Sequence, residues 1–308
     1  MEARIAHKYK VGSRLGSGGF GEVYLATDIS TGKQVAAKFE KVYTSNSLFH
    51  ESNIYRLLQG EVGIPKLFWY GTEGTHNIMV IELLGQSLSN LIQLKRKLLS
   101  LETILLLADQ MFTRIEYIHS KNIIHRDIKP DNLLIGLYNK RNTVYIIDFG
   151  IAKKYRDSKT NQHIPCVEYR GFHGTLPFAS LNDCLGIEPS RRDDFESLVY
   201  SLLYLLNGSL PWDGISGKTR AEMNKKIIDK KIQISVDDLC ENLPNEFATL
   251  LNYARGLKFE DRPDYNYAKR ILRELYVKMG YEQNLGIRIS LLKSLRNINE
   301  EEEKYQRS

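Results

Sequence analysis

Three stretches near the start of the chain, Tyr9 to Leu15, Glu22 to Asp28 and Gln34 to Glu40, alternate apolar and polar residues or run rich in β-formers, and predict strands. Ser30-Thr31-Gly32-Lys33 supplies a turn between the last two. His76 to Leu83 predicts another strand. Between them Leu48, Ile54, Tyr55 and Leu58 fall on one side of a helix over 48–58. After Gly85 the period changes. Leu101, Ile104, Leu105, Ala108, Met111, Phe112 and Ile115 keep the i, i+3, i+4, i+7 spacing of one long amphipathic helix. Phe195 to Leu206 is apolar around its circumference and predicts a buried central helix. Further helices are expected over Lys218 to Lys230, Asn245 to Leu257 and Tyr265 to Met279. The pattern therefore describes a strand-rich small lobe and a helix-rich large lobe meeting near Leu83 to Gly85. No internal repeat is found, and the tail from Asn297, with four consecutive Glu, is expected to be frayed or disordered.

Length agrees with two lobes: 308 residues is about twice a ~150-residue unit. A chain of this size buries roughly three-quarters of its unfolded surface and needs no disulfide staples. Cys166, Cys184 and Cys240 are widely spaced and form no C-x-x-C pair, so a reducing compartment is expected rather than a disulfide framework or zinc site. The longest strongly apolar run, Leu198 to Leu206, is shorter than the ~20 residues of a spanning helix. The first residues lack a signal-peptide apolar region, and neither Glu2 nor the terminal Gln-Arg-Ser fits a lipidation motif. No membrane association is expected.

The net charge is +6, with small basic clusters at 95–97, 153–154, 191–192 and 225–231. Without an RNA-binding aromatic motif or zinc-finger spacing, these clusters read as solvated surface and direct nucleic-acid recognition is not expected.

The candidate chemistry begins at Gly16-Ser17-Gly18-Gly19-Phe20-Gly21, a G-x-G-x-x-G that strands flank on both sides. A dinucleotide site would need strand then helix. Glycines in a hairpin instead let backbone N–H groups approach phosphates unhindered. Alone the motif is weak, since Gly-rich hairpin turns are common. Lys38, at the end of Val35-Ala36-Ala37-Lys38, lies on the third strand. Glu51 falls on the inward side of the 48–58 helix, where a carboxylate needs a cation, and Lys38 is the best placed. Such a pair would hold the ammonium against α/β-phosphates. His125-Arg126-Asp127-Ile128-Lys129-Pro130-Asp131-Asn132 is the strongest signal. Asp127 can accept or orient an attacking hydroxyl proton, Lys129 can neutralise a transferring phosphoryl group, and Asn132 offers a neutral oxygen to Mg²⁺. Asp148-Phe149-Gly150 closes an apolar strand over Val144 to Ile147 and adds a hard anionic Mg²⁺ ligand.

These residues together resemble a eukaryotic protein kinase, and over about residues 8 to 282 the chain is most similar to the casein kinase 1 family. Gly63-Ile64-Pro65, Glu82-Leu83-Leu84-Gly85, the runs 105–111, 115–122, 145–157, 190–194 and 208–212, and Gly186-Ile187-Glu188 carry that similarity. Ser180-Leu181-Asn182 stands where most kinases show A-P-E and is close to that family's S-I-N. The resemblance implies an α+β fold: a bilobal protein kinase with a small antiparallel β-sheet lobe carrying one regulatory helix and a larger, mainly α-helical lobe. It implies an N-terminal extension over 1–8, a catalytic domain over 9–284 with lobes at 9–83 and 86–284, and a charged, partly disordered extension over 285–308.

It further implies ATP and Mg²⁺ as cofactors, with Mn²⁺ as a substitute. The adenine would contact backbone groups of Glu82 and Leu84 between walls from Leu15, Val23, Ala36, Leu134 and Ile147, with Ile81 at the gatekeeper position. Thr175 would brace the catalytic loop near Asp127 and Lys129, and Asp194 would hold that loop's backbone. The expected partners are protein substrates bearing Ser or Thr near acidic residues, acted on by a monomer in the cytoplasm and also the nucleus. A pseudokinase scaffold is the competing reading; the presence of Lys38, Asp127, Asn132 and Asp148 together speaks against it. The acceptor is read as a protein rather than a small molecule because the whole casein-kinase-like substrate loop and terminal lobe are present.

One departure stands out. Family members carry T-G-T-A-R-Y-A-S in the substrate loop, where this chain has His173-Gly174-Thr175-Leu176-Pro177-Phe178-Ala179-Ser180. The family's Arg helps bind a phosphorylated group upstream of the acceptor; Pro177 replaces it, and a second basic contributor aligns with Met223. Arg191, Lys218 and Arg220 are the cations left to substitute. Weaker dependence on prior phosphorylation is expected. Between Asp148 and Pro177 the only Ser or Thr residues are Ser158, Thr160 and Thr175, and activity without loop phosphorylation is expected.

Overall fold

The computed structural model describes residues 4–18, 21–43, 46–95, 98–168 and 171–281. The extension expected over 285–308 lies outside them, as do Gly19 and Phe20.

The small lobe is one six-stranded antiparallel sheet. Its strands are β1 (Arg4–Ile5), β2 (Tyr9–Gly18), β3 (Gly21–Asp28), β4 (Gln34–Lys41), β5 (Leu67–Glu73) and β6 (His76–Glu82), in the order β1-β2-β3-β4-β6-β5. The expected strands and turn are all found. Two strands of this sheet went unread. β1 is only two residues long, yet Ile5 is buried in a small cluster with Tyr9, Ala26, Val35, Ala37, Ile78 and Val80 on one sheet face. β5 hides its period because Leu67-Phe68-Trp69-Tyr70-Gly71 is a continuous apolar run rather than an alternation. Helix α1 (Ser47–Leu58) covers the opposite face, burying Leu48, Glu51, Ser52, Ile54, Tyr55 and Leu58.

From Leu83 to Gln86 the chain crosses without regular structure into the large lobe. Gly85 N–H donates to Ile135 O at 2.8 Å and Ile135 N–H to Gln86 O at 3.1 Å, which ties the crossing to the strand beneath it. The large lobe begins with α2 (Leu88–Lys95), which was not expected, and α3 (Leu101–Ser120), whose Ser100 cap accepts from Thr103 N at 3.2 Å. Four short strands follow: β7 (Ile123–Ile124), β8 (Leu133–Ile135), β9 (Val144–Ile146) and β10 (Lys153–Lys154), with β7 paired to β10 and β8 to β9. Then come α4 (Leu181–Cys184), α5 (Arg191–Asn207), α6 (Arg220–Gln233), α7 (Val236–Leu239), α8 (Asn245–Gly256) and α9 (Tyr265–Lys278). α5 is buried around its circumference as the sequence predicts, and at its start Ser190 N donates to Asp193 Oδ2 at 2.7 Å.

Among the described residues the larger apolar cluster runs from α1 and Met79 in the small lobe through Phe149 to α3, α5 and α8. The lobes thus share packing at their junction, where the motif residues converge. Among the described residues no helix is long and apolar enough to cross a membrane.

Candidate active site

The site is assembled from one sheet face above and the loops after β7 and β9 below. Directly opposed residues on antiparallel strands point the same way, as do residues two apart on one strand. Val23 opposes Lys38, and Ile81 opposes Ala36, two residues before Lys38. Val23, Ala36, Lys38 and Ile81 therefore share a face, and the direction of Lys38 identifies it. Its Nζ donates to Glu51 Oε2 on α1 at 2.8 Å and to Asp148 Oδ1 at 3.1 Å, so the face looks into the junction between lobes. The ion pair expected between Lys38 and Glu51 is present, and Asp148 joins it.

Burial opposes the charge on Lys38, but Glu51 and Asp148 hold its pKa above the ordinary lysine value. Burial raises Glu51 above the usual carboxylate range despite Lys38. Asp148 goes the other way: burial works against its charge, yet Lys38 keeps its pKa below the ordinary value.

Gly16, Ser17 and Gly18 oppose Val23, Glu22 and Gly21 across the β2–β3 hairpin. Gly21 has φ +127°, and a Cβ there would overlap the Phe39 carbonyl, so the hairpin can lie this close to β4 only with glycine. Leu15 on β2 is 49% exposed, while Val23, Ile81, Leu134 and Ile147 are half-buried. Leu134 is on β8 and Ile147 follows β9. Leu84 lies in the crossing segment. Glu82 N–H is committed to Lys66 O at 2.8 Å, and its carboxylate pairs with Lys140 at 2.6 Å.

Below, Asp127 sits between β7 and β8 and is 7% exposed. Its Oδ2 accepts from Lys129 Nζ at 2.8 Å and from Asn132 Nδ2 at 3.2 Å; Asn132 Nδ2 also donates to Asp127 O at 2.9 Å. Lys129 Nζ donates to Thr175 Oγ1 at 2.6 Å as well, which brings the third expected partner to the loop. These donors leave Asp127 Oδ1 as the oxygen able to receive a proton, and Asn132 Oδ1 as an acceptor. Gly174 lets the segment that carries Thr175 approach: at φ +109°, a Cβ would stand 2.8 Å from Arg126 O and 3.5 Å from Asp127 Oδ1.

The loop is held from beneath by Asp194 of α5. Its Oδ2 accepts from His125 N at 2.7 Å and meets His119 Nε2 at 2.8 Å, while Oδ1 accepts from Arg126 N at 2.8 Å. Burial works against this carboxylate, and His119 keeps its pKa below the ordinary value. Arg126 and Asp148 adopt left-handed backbone (φ 69° and 68°), a strain of about 1–3 kcal/mol each that such anchoring must offset.

Several contributors went unread. Tyr55 looked like one more apolar residue of α1. Its ring packs edge-on against Phe149 at 5.1 Å, which in turn meets His125 at 4.9 Å, and its hydroxyl accepts from Asp148 N at 3.3 Å. His50 bridges α1 to Ala152 O at 2.7 Å. Arg191, one of the cations left for an incoming phosphate, is instead 7% exposed, donating to Tyr155 OH at 3.2 Å and to Glu260 O. Lys218 and Arg220 are exposed, and Met223 is half-buried.

Among the described residues no group of three or more His, Cys, Asp or Glu could hold a metal ion alone. Asn132 and Asp148 offer two hard oxygen donors, a set that fits Mg²⁺ bringing further oxygens on nucleotide phosphates. A family model described as protein kinase domain matches residues 9–277.

Proposed function

This chain belongs to the protein kinase domain family, and we propose that it is a serine/threonine kinase of casein kinase 1 type that transfers the γ-phosphoryl group of ATP to Ser or Thr hydroxyls of acidic protein substrates. The observation that carries the reading is the state of Asp127: Lys129 and Asn132 occupy Oδ2, and Oδ1 is left for a hydroxyl.

Nucleotide would lie under the hairpin of Gly16 to Gly21, its adenine between Leu15, Val23, Ala36 and Ile81 above and Leu134 and Ile147 below, against backbone of Glu82 and Leu84. Lys38, fixed by Glu51, grips the α/β-phosphates. Mg²⁺, or Mn²⁺ in its place, would neutralise phosphate charge when bound by Asp148 and Asn132. Asp127 Oδ1 orients the acceptor hydroxyl and takes its proton as the oxygen bonds to the γ-phosphorus. The bond from that phosphorus to the β–γ bridging oxygen breaks, and the electron pair leaves on ADP. Lys129 balances charge on the phosphoryl group in flight. By its resemblance to Ser/Thr kinases, the pairing of Lys129 with Thr175 supports aliphatic hydroxyls as acceptors.

Incubating the protein with casein and labelled ATP, followed by phosphoamino-acid analysis, tests this. Label on Ser and Thr is expected, and Asp127→Asn should lower it by roughly 10²–10⁴-fold. Label on Tyr, or equal labelling by Asp127→Asn, would overturn it.

A further inference from the structure

Lys231 belongs to the basic run 225–231, which the sequence suggests is solvated surface, yet it is 0% exposed. Within α6 it follows Ile227 by four residues, so helical spacing puts it on the buried face. Its ammonium lies 4.6 Å from the Trp212 ring centre and 4.8 Å from that of Tyr200, and donates to Ala179 O at 2.6 Å. No carboxylate among the described residues forms an ion pair with it.

A buried ammonium without a paired anion is costly, and an apolar side chain of similar volume would serve packing better. Its compensation here is one carbonyl and two aromatic faces. That carbonyl belongs to the substrate loop. Trp212 donates its own Nε1–H to Pro177 O at 2.8 Å, so two side chains of the large lobe seize carbonyls two residues apart on one segment. The segment is a closed turn, with Phe178 N and Ala179 N donating to Thr175 O at 3.0 and 3.2 Å. Its far end is Thr175, whose hydroxyl meets Lys129 beside Asp127.

We propose that Lys231 is a positioning residue: with Trp212 it clamps the loop 175–179 so that an acceptor is presented to Asp127, while nucleotide handling does not depend on it. This rests on the reading above, in which that loop receives a protein acceptor.

The groups facing Lys231 are Cys184 and Asp183 of α4, Glu196 of α5 and Arg255 of α8; burial, with Arg255 acting the same way, outweighs the other three and pulls its pKa down to about 8. The sign then separates function from stability. With the folded pKa below the unfolded value, the unfolded chain binds more protons between about 8 and 10.5, so this group's contribution to stability rises with pH there. In the folded protein the charge that binds the carbonyl and the rings is lost as pH rises through about 8.

The test compares casein phosphorylation with ATP hydrolysis in the absence of acceptor. Displacing a loop by about 1 Å can cost on the order of a hundredfold. Lys231→Met should therefore lower acceptor kcat/KM at least about tenfold, with KM for ATP and acceptor-free hydrolysis within about twofold. In the native enzyme the ratio of phosphorylation to hydrolysis should fall as pH rises through about 8, and Lys231→Arg should hold it level. Parallel losses in both activities, no loss in Lys231→Met, or a pH-independent native ratio would each overturn the proposal. If Lys231→Met does not fold, Trp212→Phe, which removes the other bond to the loop, decides in the same two assays. A native protein that hydrolyses ATP but labels no protein overturns the kinase reading and this inference with it; one that labels casein as well as Lys231→Met does overturns only this inference.

Discussion

Lys38 and Glu51 form a buried ion pair, Nζ to Oε2 at 2.8 Å, with side chains 14% and 2% exposed. The pair joins β4 to α1, and Asp148 reaches the same ammonium at 3.1 Å. Removing the cation leaves Glu51 desolvated and unpaired, whereas removing both groups leaves only the more exposed Asp148 without its partner. Lys38→Met should therefore cost about 3–5 kcal/mol of unfolding free energy. The double variant Lys38→Met/Glu51→Leu should recover most of that stability while remaining inactive. Urea unfolding alongside a phosphorylation assay checks both; equal destabilisation by the single and double variants would count against the pair as drawn.

Asp194 does for the catalytic loop what Glu51 does for Lys38, through backbone rather than charge. It accepts the consecutive amides of His125 and Arg126, and Arg126 is held in a left-handed conformation between them and Ile151 O, which accepts from its Nε at 2.6 Å. Asp194→Asn can keep one amide acceptor but must present an N–H₂ group to the other donor. A loss of about 1–3 kcal/mol in stability is expected from the unsatisfied donor, with a larger fall in kcat than in nucleotide affinity. Nucleotide titration and steady-state kinetics on the same preparation would reveal whether affinity falls as far as kcat, which would contradict a role confined to the loop.

The residues with the sharpest chemistry were legible because they stand in short contiguous runs: 125–132 and 148–150 carry their spacing with them. Glu51 was legible for a different reason, as a charge on the apolar side of a helix. Lys231 breaks the same rule on α6, but a run of neighbouring lysines masks it as surface. Arg191 shows the limit of identity alone. It reads as a spare cation until its contacts with Tyr155 and Glu260 are seen. β5 was lost to its aromatic run, whose Trp69 ring needs the space beside Gly71, where a Cβ would stand 2.5 Å from the indole.

Asp193 provides a pH signature. Burial pushes its pKa up to about 6, although Ser180 Oγ donates to Oδ1 at 2.5 Å and Ser190 N to Oδ2 at 2.7 Å. With the folded pKa above the unfolded value of about 3.9, the native state binds more protons between these values, and stability from this group falls as pH rises from about 4 through 6. Asp193→Asn removes that term. Denaturation midpoints at pH 4 to 7 should show the native protein losing ground relative to Asp193→Asn across this interval; curves that stay parallel would refute the assignment.

The last expectation concerns what the acceptor groove reads. In the resemblance to casein kinase 1, two cations recognise a phosphoryl group upstream of the acceptor, and here Pro177 and Met223 stand in their places. Arg191 cannot replace them, because its guanidinium is buried and committed to Tyr155 and Glu260. Lys218 and Arg220 remain exposed near the start of α6, where hydration weakens any ion pair they form. Each missing charge-assisted hydrogen bond is worth about 1.5–3 kcal/mol. Matched peptides with and without an upstream phosphoserine should therefore differ by less than about threefold in kcat/KM. Installing the cations in Pro177→Arg/Met223→Lys should raise the preference for the phosphopeptide by roughly 10- to 100-fold. The variant also tests the loop itself, since Pro177 O must keep its bond from Trp212 for the comparison to report on charge alone. Unchanged turnover of the unphosphorylated peptide would show that it does. A native enzyme that already prefers the phosphopeptide tenfold would mean that cations other than the two replaced ones read the phosphate.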